Sequence, residues 1–161
     1  MSAALEVTGL HAFYGESHVL QGIDLAVATG EALALVGRNG AGKTTTISAI
    51  VGFLRPRAGS VRVNGADLAG APAHRIARSG VALVPQGRRI FSELSVAENL
   101  AIAARPVPGG WDEGRVLELF PSLGRRLRQR GDQLSGGEQQ MLAIARALMR
   151  NPTILDRKSV V

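Results

Sequence analysis

Ala32-Leu33-Ala34-Leu35-Val36-Gly37-Arg38-Asn39-Gly40-Ala41-Gly42-Lys43-Thr44 is the stretch on which the reading of the whole chain turns. Its first five residues are a continuous apolar run that stops at a glycine, as expected of a strand buried on both faces of a parallel sheet. The next eight fit G-x-x-x-x-G-K-[ST], and the spacing of Ile47, Ile50, Val51 and Leu54 predicts a helix from Thr44 to Phe53. The glycines let successive backbone N–H groups turn inward around a phosphate, and the helix N-terminus adds partial positive charge. Lys43 can then reach β- and γ-phosphates, while the Thr44 hydroxyl can ligate Mg²⁺. Of 19 basic residues, 17 are Arg and two are Lys. A chain that writes Arg almost everywhere and Lys here calls for a compact ammonium at this place.

Upstream, Leu5–Thr8 and Val19–Val27 read as short strands of a small antiparallel sheet, broken by Gly9, Gly15 and Gly22. Downstream, Ser60–Val63 and Val81–Val84 read as strands with a short helix, Pro72–Arg78, between them. From Gln86 to about Arg130 the texture changes to helical pieces at Val96–Ala104 and Asp112–Phe120, an inserted helical subdomain. Arg125, Arg126, Arg128 and Arg130 read as a solvated helix face. Glu138–Arg150 has helical spacing, Asn151-Pro152 ends it, and Thr153-Ile154-Leu155 begins another strand.

With 161 residues, 45% of them apolar, the chain fits one modest globular domain. It has 20 Gly and 7 Pro but no Cys, which sets aside collagenous and disulfide-built folds and thiolate chemistry. No run approaches the roughly eighteen apolar residues of a membrane span, and no signal segment opens the chain, so a cytosolic protein is expected. The net charge of +6 comes from scattered arginines without interleaved aromatics, which speaks against nucleic acid. His11, His18 and His74 have no metal-ligand spacing, and Trp111 reads as a packing residue.

A second motif, Leu134-Ser135-Gly136-Gly137-Glu138-Gln139-Gln140, opens the last helix with a hydroxyl and two glycine N–H groups, a second anion site. It resembles the signature sequence of the ABC ATPases. That resemblance implies an α/β P-loop NTPase with a RecA-like parallel core, an N-terminal antiparallel β subdomain and an inserted helical subdomain. Its implied cofactors are ATP and Mg²⁺. Gly37, Asn39, Gly40, Ala41, Gly42, Lys43, Thr44 and Thr45 would bind one nucleotide, and Ser135, Gly136, Gly137 and Glu138 would bind the nucleotide of a second, head-to-tail subunit. Tyr14 stands where the adenine-stacking aromatic is found, and Gln86 at the Q-loop, whose amide contacts Mg²⁺ and the attacking water. Lys43, Gln86 and Ser135 are the implied catalytic residues, with Thr44 and Gln86 at the metal. The loop Val84–Phe91 could meet a membrane partner.

Leu10–Leu20, Gly87-Arg88-Arg89-Ile90-Phe91, Phe120-Pro121 and Leu134–Arg150 look like the second ATP-binding subunit of branched-chain amino-acid importers, the LivF type. Gln86 departs from the Glu common at that place in this subfamily. The likeness implies a cytoplasmic subunit, peripheral on the inner face of the membrane, with permease partners, a periplasmic binding protein acting indirectly, and no nucleic acid. A urea or short-amide importer, and more remotely a soluble ABC ATPase acting on nucleic acid, are the alternatives. The implied organisation is a partial nucleotide-binding domain over 1–155. It comprises core and β subdomain at 1–85, helical subdomain at about 86–133, signature helix at 134–150 and a strand at 153–155. The family pattern would place an Asp-Glu pair beyond Leu155. Asp156-Arg157 does not match it, and 156–161 resembles a translated sequencing adapter, so a hydrolysis-incompetent fragment with a non-native tail is expected.

Overall fold

The structure is a computed structural model and describes residues 3–85, 87 and 89–157. It divides into two compact units between Val81 and Ala82. The first is built on a four-stranded sheet in the order β2-β1-β3-β4, with β1 at Ala3–Tyr14, β2 at Ser17–Ala28, β3 at Ala58–Val63 and β4 at Ala66–Asp67. All three pairings are antiparallel. The expected sheet is therefore present, and Gly15 breaks it as expected, in the turn between β1 and β2, but the strands run through Gly9 and Gly22. In β1 the buried side chains are Ala4, Leu5 and Val7 before Gly9 and Leu10 and Ala12 after it, so the alternation of Leu5 and Val7 switches from odd to even positions. A bulge at Gly9 makes the switch, because one extra residue returns the following side chains to the core face. Gly9 has φ 55° and its N–H donates to Asp24 Oδ1 at 2.6 Å.

Two helices complete this unit, α1 at Lys43–Ile50 and α2 at Ala73–Arg78. α1 buries Thr45, Thr46, Ala49 and Ile50, and it ends before the expected Phe53, which is exposed. The larger correction concerns Ala32–Val36. It belongs to no sheet, and residues 31–41 are all exposed, with Leu33, Leu35 and Val36 among the exposed large apolar residues. A strand buried on both faces needs a hydrogen-bonded neighbour and two covering layers, and among the described residues this run has neither.

The second unit holds α3 at Val96–Ala103, α4 at Glu113–Leu119, a single turn α5 at Pro121–Gly124, a 3₁₀ turn η1 at Gly131–Gln133, and α6 at Gly136–Leu148. A two-stranded sheet pairs β5, Val81–Val84, with β6, Ile154–Arg157. α6 is apolar on two faces. Leu142, Ala145, Leu148 and the following Met149 pack with Val96, Leu100, Val116 and Leu123, while Ala143 and Ala147 pack with Ala82 and Val84. Trp111 packs against the first of these clusters, as expected. The arginine run at 125–130 is not a helix face. Residues 125–128 form turns, and Arg126 is drawn toward α6.

Candidate functional site

Gly42, the N-cap of α1, has φ 88° and ψ −1°, and a Cβ there would stand 3.0 Å from Leu20 Cδ2. Only glycine meets both demands cheaply. Gly40 also has positive φ, 85°. The Lys43 ammonium lies over the loop it follows, donating to the carbonyl oxygens of Gly37 at 2.5 Å and Arg38 at 2.9 Å. Thr46 Oγ1 donates to the Gly42 carbonyl at 3.0 Å, which fixes the first turn of α1. Asn39, Gly40, Ala41 and Thr44 are exposed, whereas Thr45 is buried. The loop thus presents backbone, one ammonium and one hydroxyl to the outside, a donor-rich surface suited to an anion.

Tyr14 ends β1 and is 53% exposed, outside the packed core. Beside it lies a stack that composition and spacing did not reveal. Arg57 sits 4.2 Å over the Phe13 ring, and its Nη2 donates to the Gly15 carbonyl at 3.1 Å. Phe13 stacks on His18 at 4.1 Å, and His18 Nε2 is 3.0 Å from His11 Nδ1. Among the described residues no three His, Cys, Asp or Glu side chains converge on a point that could hold a metal ion.

In the second unit, Ser135 is the N-cap of α6 and closes a reciprocal cap. Its Oγ accepts from Glu138 N–H at 3.3 Å, and Glu138 Oε2 accepts from Ser135 N–H at 2.9 Å. The Ser135 N–H and hydroxyl, followed by the positive charge of Arg126, hold the Glu138 carboxyl below its ordinary value. Arg126 Nε meets Glu138 Oε1 at 2.5 Å. Gly136, half-buried, and Gly137, exposed, open the first turn, and a Cβ on Gly137 would meet nothing within 4 Å. The structure therefore places Ser135, Gly136, Gly137 and Glu138 together at one helix end.

Gln86 lies outside the described residues. The segment after it is held from two sides. Asn99, fully buried on α3, accepts from Phe91 N–H at 3.0 Å through Oδ1, and its Nδ2 donates to the carbonyls of Phe91, Leu94 and Ser95. Arg146 on α6 lies 4.4 Å over the Phe91 ring and donates through Nη1 to the Arg89 carbonyl at 2.9 Å. Burial lowers the Arg146 pKa. Neither residue was marked by the sequence reading, because a clamp of this kind leaves no periodic trace.

The family model described as "ABC transporter" matches residues 20–156. The chain belongs to the ABC transporter family. Its sequence is 43% identical over 152 residues to the high-affinity branched-chain amino acid transport ATP-binding protein BraG of Pseudomonas aeruginosa, covering 89% of this chain and 63% of that one. It is 37% identical over 154 residues to the probable branched-chain amino acid transport ATP-binding protein LivF of Archaeoglobus fulgidus, covering 94% and 65%. The chain thus spans slightly less than two thirds of the length of these two relatives. A solved ATP-binding cassette of an ABC transporter in its ADP conformation superposes with a TM-score of 0.80 at 27% identity, covering 96% of this chain and 68% of the other. The fold is that of the ABC cassettes, an α/β P-loop NTPase with its antiparallel sheet, as the resemblance implied.

Proposed function

We propose that the parent protein is the ATP-binding and ATP-hydrolysing subunit of an ABC importer for branched-chain amino acids, and that this chain carries its two phosphate-binding elements. The observation that carries the reading is Lys43. The only lysine among the described residues lies over a loop of positive-φ glycines, held by two backbone carbonyls that a phosphate oxygen can replace as its partner. Gly37 through Thr45 would bind the β- and γ-phosphates, and Tyr14 would stack on the base. Mg²⁺ fits the exposed Thr44 hydroxyl, with Gln86 as its expected second protein contact. When bound, the ion neutralises phosphate charge.

Ser135, Gly136 and Gly137 would take the γ-phosphate of the nucleotide held by a second subunit, arranged head to tail. Gly137 supports this. Its backbone is helical and its surroundings within the chain are empty, so nothing inside the molecule asks for glycine. Close approach from outside does. The names of BraG and LivF support the branched-chain amino-acid cargo, with permease subunits as partners and a cytoplasmic position at the inner face of the membrane.

For residues 1–161 alone we propose nucleotide binding without turnover. Glu138, the acid nearest the signature in sequence, is committed to the cap and to Arg126 rather than to a water. Titration with ATP and Mg²⁺ tests the reading, and Lys43→Ala should abolish most of the affinity. Equal affinity in both proteins would end the P-loop assignment, and Lys43-dependent phosphate release would end the expectation of no turnover.

A further inference from the structure

The two reciprocal caps of the second unit differ in what else holds the carboxylate: the Ser95 hydroxyl donates to Glu98 Oε2 at 2.7 Å, whereas Arg126 meets Glu138 Oε1. At α3, Ser95 Oγ accepts from Glu98 N–H at 3.2 Å and Glu98 Oε2 accepts from Ser95 N–H at 2.8 Å, the arrangement found again at Ser135 and Glu138. Among the described residues Glu98 is in no ion pair, whereas Glu138 is held by Arg126. The cap at α3 closes without a cation, so the cap alone gives no reason for an arginine at α6.

A carboxylate in the first turn suits the helix and opposes an incoming anion, because both occupy the same positive end of the dipole. A glutamine would close the cap equally well and bring no charge. Glu138 is only 13% exposed, and its two oxygens are divided, Oε2 to the Ser135 N–H and Oε1 to the guanidinium. Arg126 comes from the turns at 125–128, outside α6, and is itself steadied by Nη1 donating to Gln129 Oε1 at 2.8 Å.

We propose that Arg126 is a positioning residue of the signature: its guanidinium holds the Glu138 carboxylate against the Ser135 N–H and cancels its charge, so that a helix end bearing an acid accepts a phosphate. This rests on the reading of Ser135–Gly137 as the element that takes the γ-phosphate of a second subunit. Arg126 acts through Glu138 and does not touch the nucleotide. Its fixed geometry, with one nitrogen on Glu138 and another on Gln129, is one that a lysine ammonium on a flexible stem would not reproduce.

The test is a double-mutant cycle in the full chain, read by ATP-driven self-association in sedimentation velocity with Mg²⁺, alongside thermal melting without nucleotide. Arg126→Ala should stay folded and melt within about 4 °C of the wild type, since the α3 cap stands without an arginine. It should weaken ATP-driven association about five-fold, the scale of one charge at a helix end, and more at low ionic strength. Glu138→Gln sets the reference for the cycle, and Arg126→Ala/Glu138→Gln should associate within about two-fold of that single variant. If Arg126→Ala unfolds the protein, the arginine is structural and the proposal falls. It falls equally if Arg126→Ala associates normally, or if Arg126→Ala weakens association as much in the Glu138→Gln background as it does alone. A wild-type chain with no ATP response overturns the proposed function and this proposal with it. Failure of the cycle while Lys43→Ala abolishes a wild-type response overturns the role of Arg126 alone.

Discussion

Gly137 and Asn99 make opposite demands on their surroundings, and each gives an expected outcome at the level of one side chain. Gly137 is helical and faces open space, so Gly137→Ala should stabilise the unit by up to about 1 kcal/mol through helix propensity. The same methyl should weaken ATP-driven association, because it stands where a phosphate must come close. Denaturant melts and sedimentation read the two effects separately, and a variant that gains neither stability nor loses association removes the argument from empty space. Asn99 is the reverse case, fully buried and bonded to Phe91, Leu94 and Ser95. Asn99→Leu keeps the volume but leaves the Phe91 N–H unanswered, while the carbonyls of Phe91, Leu94 and Ser95 each keep a backbone donor, and it should cost roughly 1–3 kcal/mol in denaturant unfolding. A loss below about 0.5 kcal/mol would mean that the segment Phe91–Ser95 does not depend on this clamp. The sequence showed Gly137 and hid Asn99 for a physical reason. A motif is local and repeats across proteins, whereas a buried amide reaches partners set by how a loop happens to fold back.

The helix N-termini carry an expected acid response. Glu98 has its pKa lowered by the N–H and then the hydroxyl of Ser95, and Glu138 in the same way by Ser135 with the help of Arg126. A carboxylate lowered in the folded state contributes stability above its unfolded value of about 4.5, and that contribution is lost as pH falls through the folded value. The midpoint of urea unfolding should therefore drop on acidification below about pH 4.5, and Glu98→Gln/Glu138→Gln should flatten that drop. An acid limb of unchanged steepness in the double variant would assign it to other groups. These elements were legible where a chain segment decides its own structure. α3, α4 and α6 begin at Ser95, Asp112 and Ser135, whose side chains accept from the first turn, and end within a few residues of where spacing predicts. The strands were legible only in part. Gly9 and Gly22 look like interruptions in a single segment, and become bulges once a neighbouring strand supplies the hydrogen bonds. Arg126 looked like one member of a solvated run because its carboxylate partner lies twelve residues on, beyond any helical period.

At the scale of the whole molecule, Ala32–Val36 is the place where sequence and structure part, and its exposure has a consequence in solution. The run is as apolar as a central strand should be, and that property is what the sequence encodes. Whether it becomes a strand depends on neighbours, since a strand's N–H and C=O groups are satisfied only by another backbone. Here Leu33 is 48%, Leu35 39% and Val36 89% exposed, in a segment that belongs to no sheet. Such a segment offers both apolar side chains and unpaired backbone to a second copy, the combination that drives edge-to-edge association. Opposing it is the chain's net charge of +6, whose mutual repulsion acts over about 10 Å at 0.1 M salt and shrinks as salt is added. Nucleotide-free chain should therefore self-associate, increasingly from low to high ionic strength, and without dependence on Lys43. Leu35→Lys should suppress this, because a cation in the middle of the run must be buried to join a second copy. ATP-driven association should have the opposite signature, requiring Lys43 and weakening on Arg126→Ala. Sedimentation velocity of wild type, Lys43→Ala and Leu35→Lys at two salt concentrations separates the two processes. A wild-type chain that stays monomeric at high salt without nucleotide, or a Leu35→Lys variant that associates as the wild type does, would show that this exposed run does not bring copies together.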